Sequence, residues 1–139
     1  MADSDPNAMF AGVTPHITIR DTRAKEAIAF YEQAFGAREV RRAPADDGER
    51  LMHAQLEFNG GALLLHDDFP EMTGGQASPP PAGVVLHLQV PDADAVWEKA
   101  LAAGGTVRFP LADQFWGDRY GQIVDPFGHI WSVAGPQKG

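Results

Sequence analysis

The chain has 139 residues and no cysteine, so it is sized for one domain that buries about two thirds of its unfolded surface and does so without disulfides. The missing thiol also excludes a cysteine nucleophile and leaves His, Asp and Glu to hold any metal ion. Eleven Lys and Arg stand against nineteen Asp and Glu, a formal charge of -8 with no basic cluster, which favours solubility and argues against nucleic acid as a partner.

Met1 to Ala8 is polar, with Asp3, Asp5 and Pro6, and lacks the basic start and apolar core of a signal peptide. No apolar run reaches the length of a membrane span, so a cytoplasmic protein without membrane contact is expected. From Val13 to Arg20 the residues alternate, placing Ile17 and Ile19 on one face and His16, Thr18 and Arg20 on the other, as a half-buried strand requires. Asp21 or Thr22 is then expected to cap a helix from about Arg23 to Phe35, with Ala27, Ile28, Tyr31, Ala34 and Phe35 on one stripe and Gly36 as its stop. Ala37 to Arg42 reads as a strand, Asp46-Asp47-Gly48 as a turn and Leu51 to Phe58 as the next strand. In that strand Met52, Ala54, Leu56 and Phe58 should share one side, leaving His53, Gln55 and Glu57 on the other. Asn59-Gly60-Gly61 is a hairpin turn into Ala62 to His66, because these residues take positive φ with little strain.

Residues 68–83, with Gly74-Gly75 and Pro79-Pro80-Pro81, form a linker between this first module, about 13–67, and a second, about 84–134. In the second, Val84, Leu86, Leu88 and Val90 are expected to face a helix, and Val85, His87 and Gln89 to point away. Asp92 caps that helix, which carries Val96, Trp97, Ala100 and Leu101, and Gly104-Gly105 ends it. Thr106 to Leu111 is a strand and a loop follows. A hairpin of Arg119 to Val124 and Ile130 to Ala134 then closes on the turn Asp125-Pro126-Phe127-Gly128, where Pro126 presets φ. Two β-α-β-β-β units result, and in each the sheet face away from the helix collects His, Gln and Glu among apolar walls, the usual make-up of a small-molecule site.

The run Phe115-Trp116-Gly117-Asp118-Arg119-Tyr120-Gly121, followed by Asp125-Pro126-Phe127-Gly128-His129-Ile130-Trp131, closely resembles the last strands of the vicinal oxygen chelate superfamily. This is the glyoxalase, bleomycin-resistance and extradiol dioxygenase group, and the form is similar to its PhnB-like subgroup. The resemblance implies an α+β fold in which two βαβββ modules form a curled antiparallel sheet with a concave cleft, usually in a homodimer. It also implies one divalent ion, held by one residue from the first and last strand of each module. Those four positions fall on His16, Leu65, Val85 and Ser132, with His66 next to Leu65 but expected on the other face. Only His16 is of ligand type, so no cofactor is expected. A non-standard metal site would have to come from His16, His87 and Glu57.

The expected activity is therefore that of a metal-independent binding protein of the bleomycin-resistance sort, sequestering an aromatic or cationic small molecule. Phe115, Trp116 and Tyr120 either stack on a flat ligand, with Arg119 placing a cation beside it, or plug the open end of the curled sheet or a subunit contact, and His53, Gln55 and His87 would line the cleft. Ser132 and His16 could pair as nucleophile and base, but no third orienting group is visible. The alternative is a metal-dependent lyase, isomerase or dioxygenase with an unusual ligand set.

Overall fold

The computed structural model describes residues 12–138. The described residues divide into two compact units, 12–32 with 36–79, and 33–35 with 80–138. The first contains β1 (His16–Ile19), α1 (Ala24–Phe35) except for its last three residues, β2 (Arg38–Pro44), β3 (Leu51–Phe58) and β4 (Gly61–Asp67), followed by a short 3-10 turn at Pro70–Met72. The second contains β5 (Val85–Gln89), α2 (Ala93–Ala103), β6 (Thr106–Asp113), β7 (Asp118–Val124) and β8 (Ile130–Pro136). The α+β class and the repeated βαβββ order are as the sequence implies. The sheets are mixed rather than antiparallel, because in the orders β1-β4-β3-β2 and β5-β8-β7-β6 the first strand of each unit runs parallel to the last.

In the first unit Ile19, Ala54, Leu56, Leu63 and Leu65 are buried on one side of the sheet, and α1 contributes Ala27, Ile28 and Tyr31, all essentially closed to solvent. Each large side chain buried in this way contributes about 1.5–3 kcal/mol. Neither Asp21 nor Thr22 caps the helix; both have positive φ, and the cap position, Arg23, makes no side-chain cap bond. The cap comes from β4, where the buried carboxylate of Asp67 accepts from the backbone N–H of Ala24 at 2.9 Å and of Leu51 at 2.7 Å. A helix N-terminus has orphan donors wherever it starts, and here a residue 43 positions away satisfies one of them. Gly36 ends α1 in the left-handed conformation, as expected.

In the second unit Asp92 caps α2 by accepting from Ala95 N–H at 3.2 Å. Trp97 and Ala100 of α2 are buried against the side of the sheet that carries Ile123, Trp131 and Val133. Close approach is possible because Gly121 lies beneath the helix: a Cβ there would stand 2.8 Å from the Trp97 ring and 2.7 Å from the Leu111 backbone. Asp125 builds the β7–β8 turn from its buried carboxylate, which accepts from the N–H of Phe127 and His129 and from the Trp131 indole at 2.9–3.0 Å. Leu88 is buried as its alternation predicts, while Val84, expected on the same side, precedes the strand and is exposed.

Candidate functional site

The face of each sheet turned away from its buried side is here called its open face. On β4 this face carries Leu64 and His66, since Leu64 pairs with His16 and His66 with Thr18 in the parallel register. Leu65 is fully buried on the opposite side, paired with Ile17. The expected placement of these two residues is thus reversed. His16, His53 and His66 gather on the open face of the first unit from three strands, the ring of His16 meeting those of His66 and His53 edge to face at 4.9 and 6.1 Å between centroids. Partial desolvation of the His16 ring, then the neighbouring His66 and His53, hold its pKa below the usual histidine value. His66 Nδ1 lies 2.6 Å from the Asp67 carbonyl oxygen, so that nitrogen carries the proton and donates to it. Gln55 shares the face but is buried, and Glu57 is held at 2.8 Å by Arg38. Met52, expected with Ala54, is instead exposed and lines a side groove of about 500 Å³ with Phe69, Met72 and Arg50, the last neutralised by Asp47 and Glu71.

On the open face of the second unit, Val85, His87 and Gln89 project from β5 as the alternation predicts, all of them exposed. His87 pairs with Ser132 across the parallel register and Ser132 with Gln122 across the antiparallel one. With Gln89 Oε1 accepting at 2.8 Å, His87 Nε2 carries the proton, and Nδ1 accepts from the Ser132 hydroxyl at 2.6 Å. The base beside Ser132 is therefore His87, with Gln89 as the orienting group. Ser132 is only 1% exposed, so the arrangement serves to fix the imidazole rather than to present a nucleophile.

Aromatic rings continue this face. Tyr120 lies nearly parallel to the His87 ring at 6.1 Å, and Phe109 and Trp116 meet Tyr120 edge to face at 6.0 and 5.6 Å. Trp116 and Phe115 belong to the β6–β7 turn, which Gly117 closes at φ 102 with its N–H on the Gln114 carbonyl. Phe115 is 96% exposed, Trp116 50% and Phe109 43%, an apolar aromatic surface open to solvent. Arg119 does not join it. Opposite in parity to Tyr120, it reaches Asp94 of α2 at 3.0–3.1 Å and Asp113 at 3.2 Å, and those carboxylates raise its pKa.

Sequence reasoning missed Arg108, Phe109 and Gln122. Gln122 shares the parity of Tyr120 and was legible on that ground. Arg108 and Phe109 were hidden by register shifts on both sides of Phe109, which break the alternation of β6.

The metal positions implied by the resemblance do not fit an ion. In the first unit His16 has Leu64 for its open-face partner on β4; in the second, Val85 is apolar and the Ser132 hydroxyl is engaged by His87. The non-standard set does no better, since Glu57 is tied to Arg38 and both ring nitrogens of His87 are bonded. Among the described residues no three His, Asp or Glu side chains are arranged to hold a metal ion.

A family model described as the glyoxalase/bleomycin resistance protein/dioxygenase superfamily matches residues 14–133. An uncharacterised Mycobacterium tuberculosis protein, Rv0887c, is 47% identical over 130 residues, covering 91% of this chain and 75% of its own. Among solved structures, PA1353 from Pseudomonas aeruginosa aligns with a TM-score of 0.72 at 27% identity, over 92% of this chain and 99% of that one. TioX from Micromonospora sp. ML1 aligns with a TM-score of 0.65 at 26% identity, over 91% and 100%. With the paired βαβββ units and a family match over nearly the whole described chain, the protein belongs to the glyoxalase/bleomycin resistance protein/dioxygenase superfamily.

Proposed function

We propose that this member of the superfamily binds and sequesters a planar aromatic small molecule without using a metal ion. The observation that carries the reading is the solvent-open group of His87, Phe109, Trp116 and Tyr120 on one sheet face, in a geometry that leaves ring surface for a further ring. An exposed aromatic surface of this kind costs solubility, so a ligand or partner is the usual reason for it. The loss of ligand-type residues at the implied metal positions supports the metal-independent part of the reading. Of the two ligand classes the sequence suggests, the aromatic one is favoured by the exposed rings themselves, since Arg119, expected to place a cation beside the ligand, is held by Asp94 and Asp113.

The test is a fluorescence titration of the full chain with a panel of two-ring aromatic compounds, since Trp116 stands in the site. A saturable change is expected, and Tyr120→Ala should weaken binding by about 1 kcal/mol, roughly fivefold. A panel without any saturable binder overturns the reading.

A further inference from the structure

Arg108 sits in the irregular part of β6, and its guanidinium Nη1 donates to Gln122 Oε1 on the open face of the second unit. Gln122 in turn donates from Nε2 to the Tyr120 hydroxyl oxygen at 2.9 Å. This chain has a direction: Gln122 has its oxygen on Arg108 and its amide on Tyr120, so the Tyr120 oxygen accepts and its own proton is left to donate. Two donors, the rest of the Arg108 guanidinium and the Tyr120 O–H, therefore stand beside the aromatic rings.

Arg23, Arg38, Arg42, Arg50 and Arg119 each hold a carboxylate within 3.3 Å. Among the described residues Arg108, like Arg20 and Arg41, has no such partner, although the chain carries a net charge of -8; of these three only Arg108 reaches Gln122 on this face. The one carboxylate on β7 that shares the parity of Tyr120 and Gln122 is Asp118, at the far end of the strand from Arg108, about 13 Å along it from Gln122. A neutral amide therefore fixes this guanidinium and leaves its charge uncompensated. Its bidentate edge remains available to a planar anion.

We propose that the open face of the second unit selects aromatic acids, with the ring stacked on Tyr120 and Trp116 and the carboxylate held by Arg108 and the Tyr120 hydroxyl. The proposal rests on reading this face as an aromatic binding site and names the ligand class it takes. It reverses the expectation of a cationic ligand.

The experiment compares naphthoate, naphthamide and naphthylmethylamine, matched in ring and size, by fluorescence titration of the full chain at low and high salt. Naphthoate should bind about tenfold more tightly than naphthamide, with the amine weakest, and the preference should shrink in high salt. Arg108→Gln, an exposed edge position, should bring naphthoate down to the level of naphthamide and weaken naphthamide by a much smaller factor. Tyr120→Phe should remove part of the preference while keeping the stacking ring. Equal binding of acid and amide, or an equal loss of both in Arg108→Gln, overturns the acid-selective site while the aromatic reading stands. Failure of all three probes overturns both.

Discussion

At the residue scale, the two buried carboxylates do work that apolar neighbours cannot. Asp67 is closed to solvent and accepts two backbone N–H bonds, one from the first turn of α1 and one from the start of β3, so it ties three elements of the first unit at one point. Removing it leaves two donors with no acceptor in a dry environment, which costs far more than the net value of two ordinary hydrogen bonds. Asp67→Ala should therefore destabilise the protein by roughly 3 kcal/mol in urea unfolding, and Asp67→Asn, which retains one acceptor oxygen, by about half as much. A loss below about 1 kcal/mol for the alanine variant would mean that water or another side chain takes over both bonds. Asp125 plays the corresponding part in the second unit, where three donors converge on it, and the sequence signals it through the Asp-Pro-x-Gly turn. Asp67 gives no such local signal, because its partners lie 43 and 16 residues away.

At the element scale, strand alternation was the most informative pattern in the sequence, and the errors came where it was extended across a turn. Within β5 the alternation correctly placed Val85, His87 and Gln89 on one face. On β4 the position implied by the resemblance, Leu65, holds only if the first hairpin turns as the second does. The first turn is the tight Asn59-Gly60 pair, both with positive φ, whereas the second spans Asp125 to Gly128. Turns of different length shift the count by one, and a shift of one residue moves every side chain to the other face. Leu65 and His66 are exchanged for that reason. Packing of α2 on its sheet also belongs to this scale. Gly121 lets the Trp97 ring and the Leu111 backbone close over β7, and a methyl group there has no room. Gly121→Ala should cost roughly 2 kcal/mol of stability through overpacking, measured by thermal or urea unfolding. It should also weaken aromatic binding, since β7 carries Tyr120 on its other face.

At the scale of the whole molecule, superfamily membership sets a frame that its own residues then narrow. The described helices include none long and apolar enough to cross a membrane. Folding rests on two sheets with buried Leu, Ile, Val and Ala and on internal capping by carboxylates bonded to backbone N–H groups, and among the described residues no three His, Asp or Glu side chains are arranged to hold an ion. The melting temperature should accordingly be unchanged by EDTA and by added Ni, Zn, Mn or Fe, since only a ligand that prefers the folded state raises it. About one equivalent of metal per chain in protein purified without chelator, lost together with thermal stability in His16→Ala, would instead restore the metal-dependent enzyme.

Element order, the repeated unit and the absence of thiol chemistry follow from residue type and from periodicity within single segments, and the resemblance adds the apolar residues at the implied metal positions. The tertiary structure alone decided which side chains meet. His87 with Ser132, the three histidines of the first unit, Asp67 beneath α1, and the chain from Arg108 through Gln122 to Tyr120 each join residues on different strands or elements. Alternation states which residues of one strand share a face, but the partner opposite each is set by inter-strand hydrogen bonds, turn length and irregularities such as that in β6, and these arise only when the strands pair.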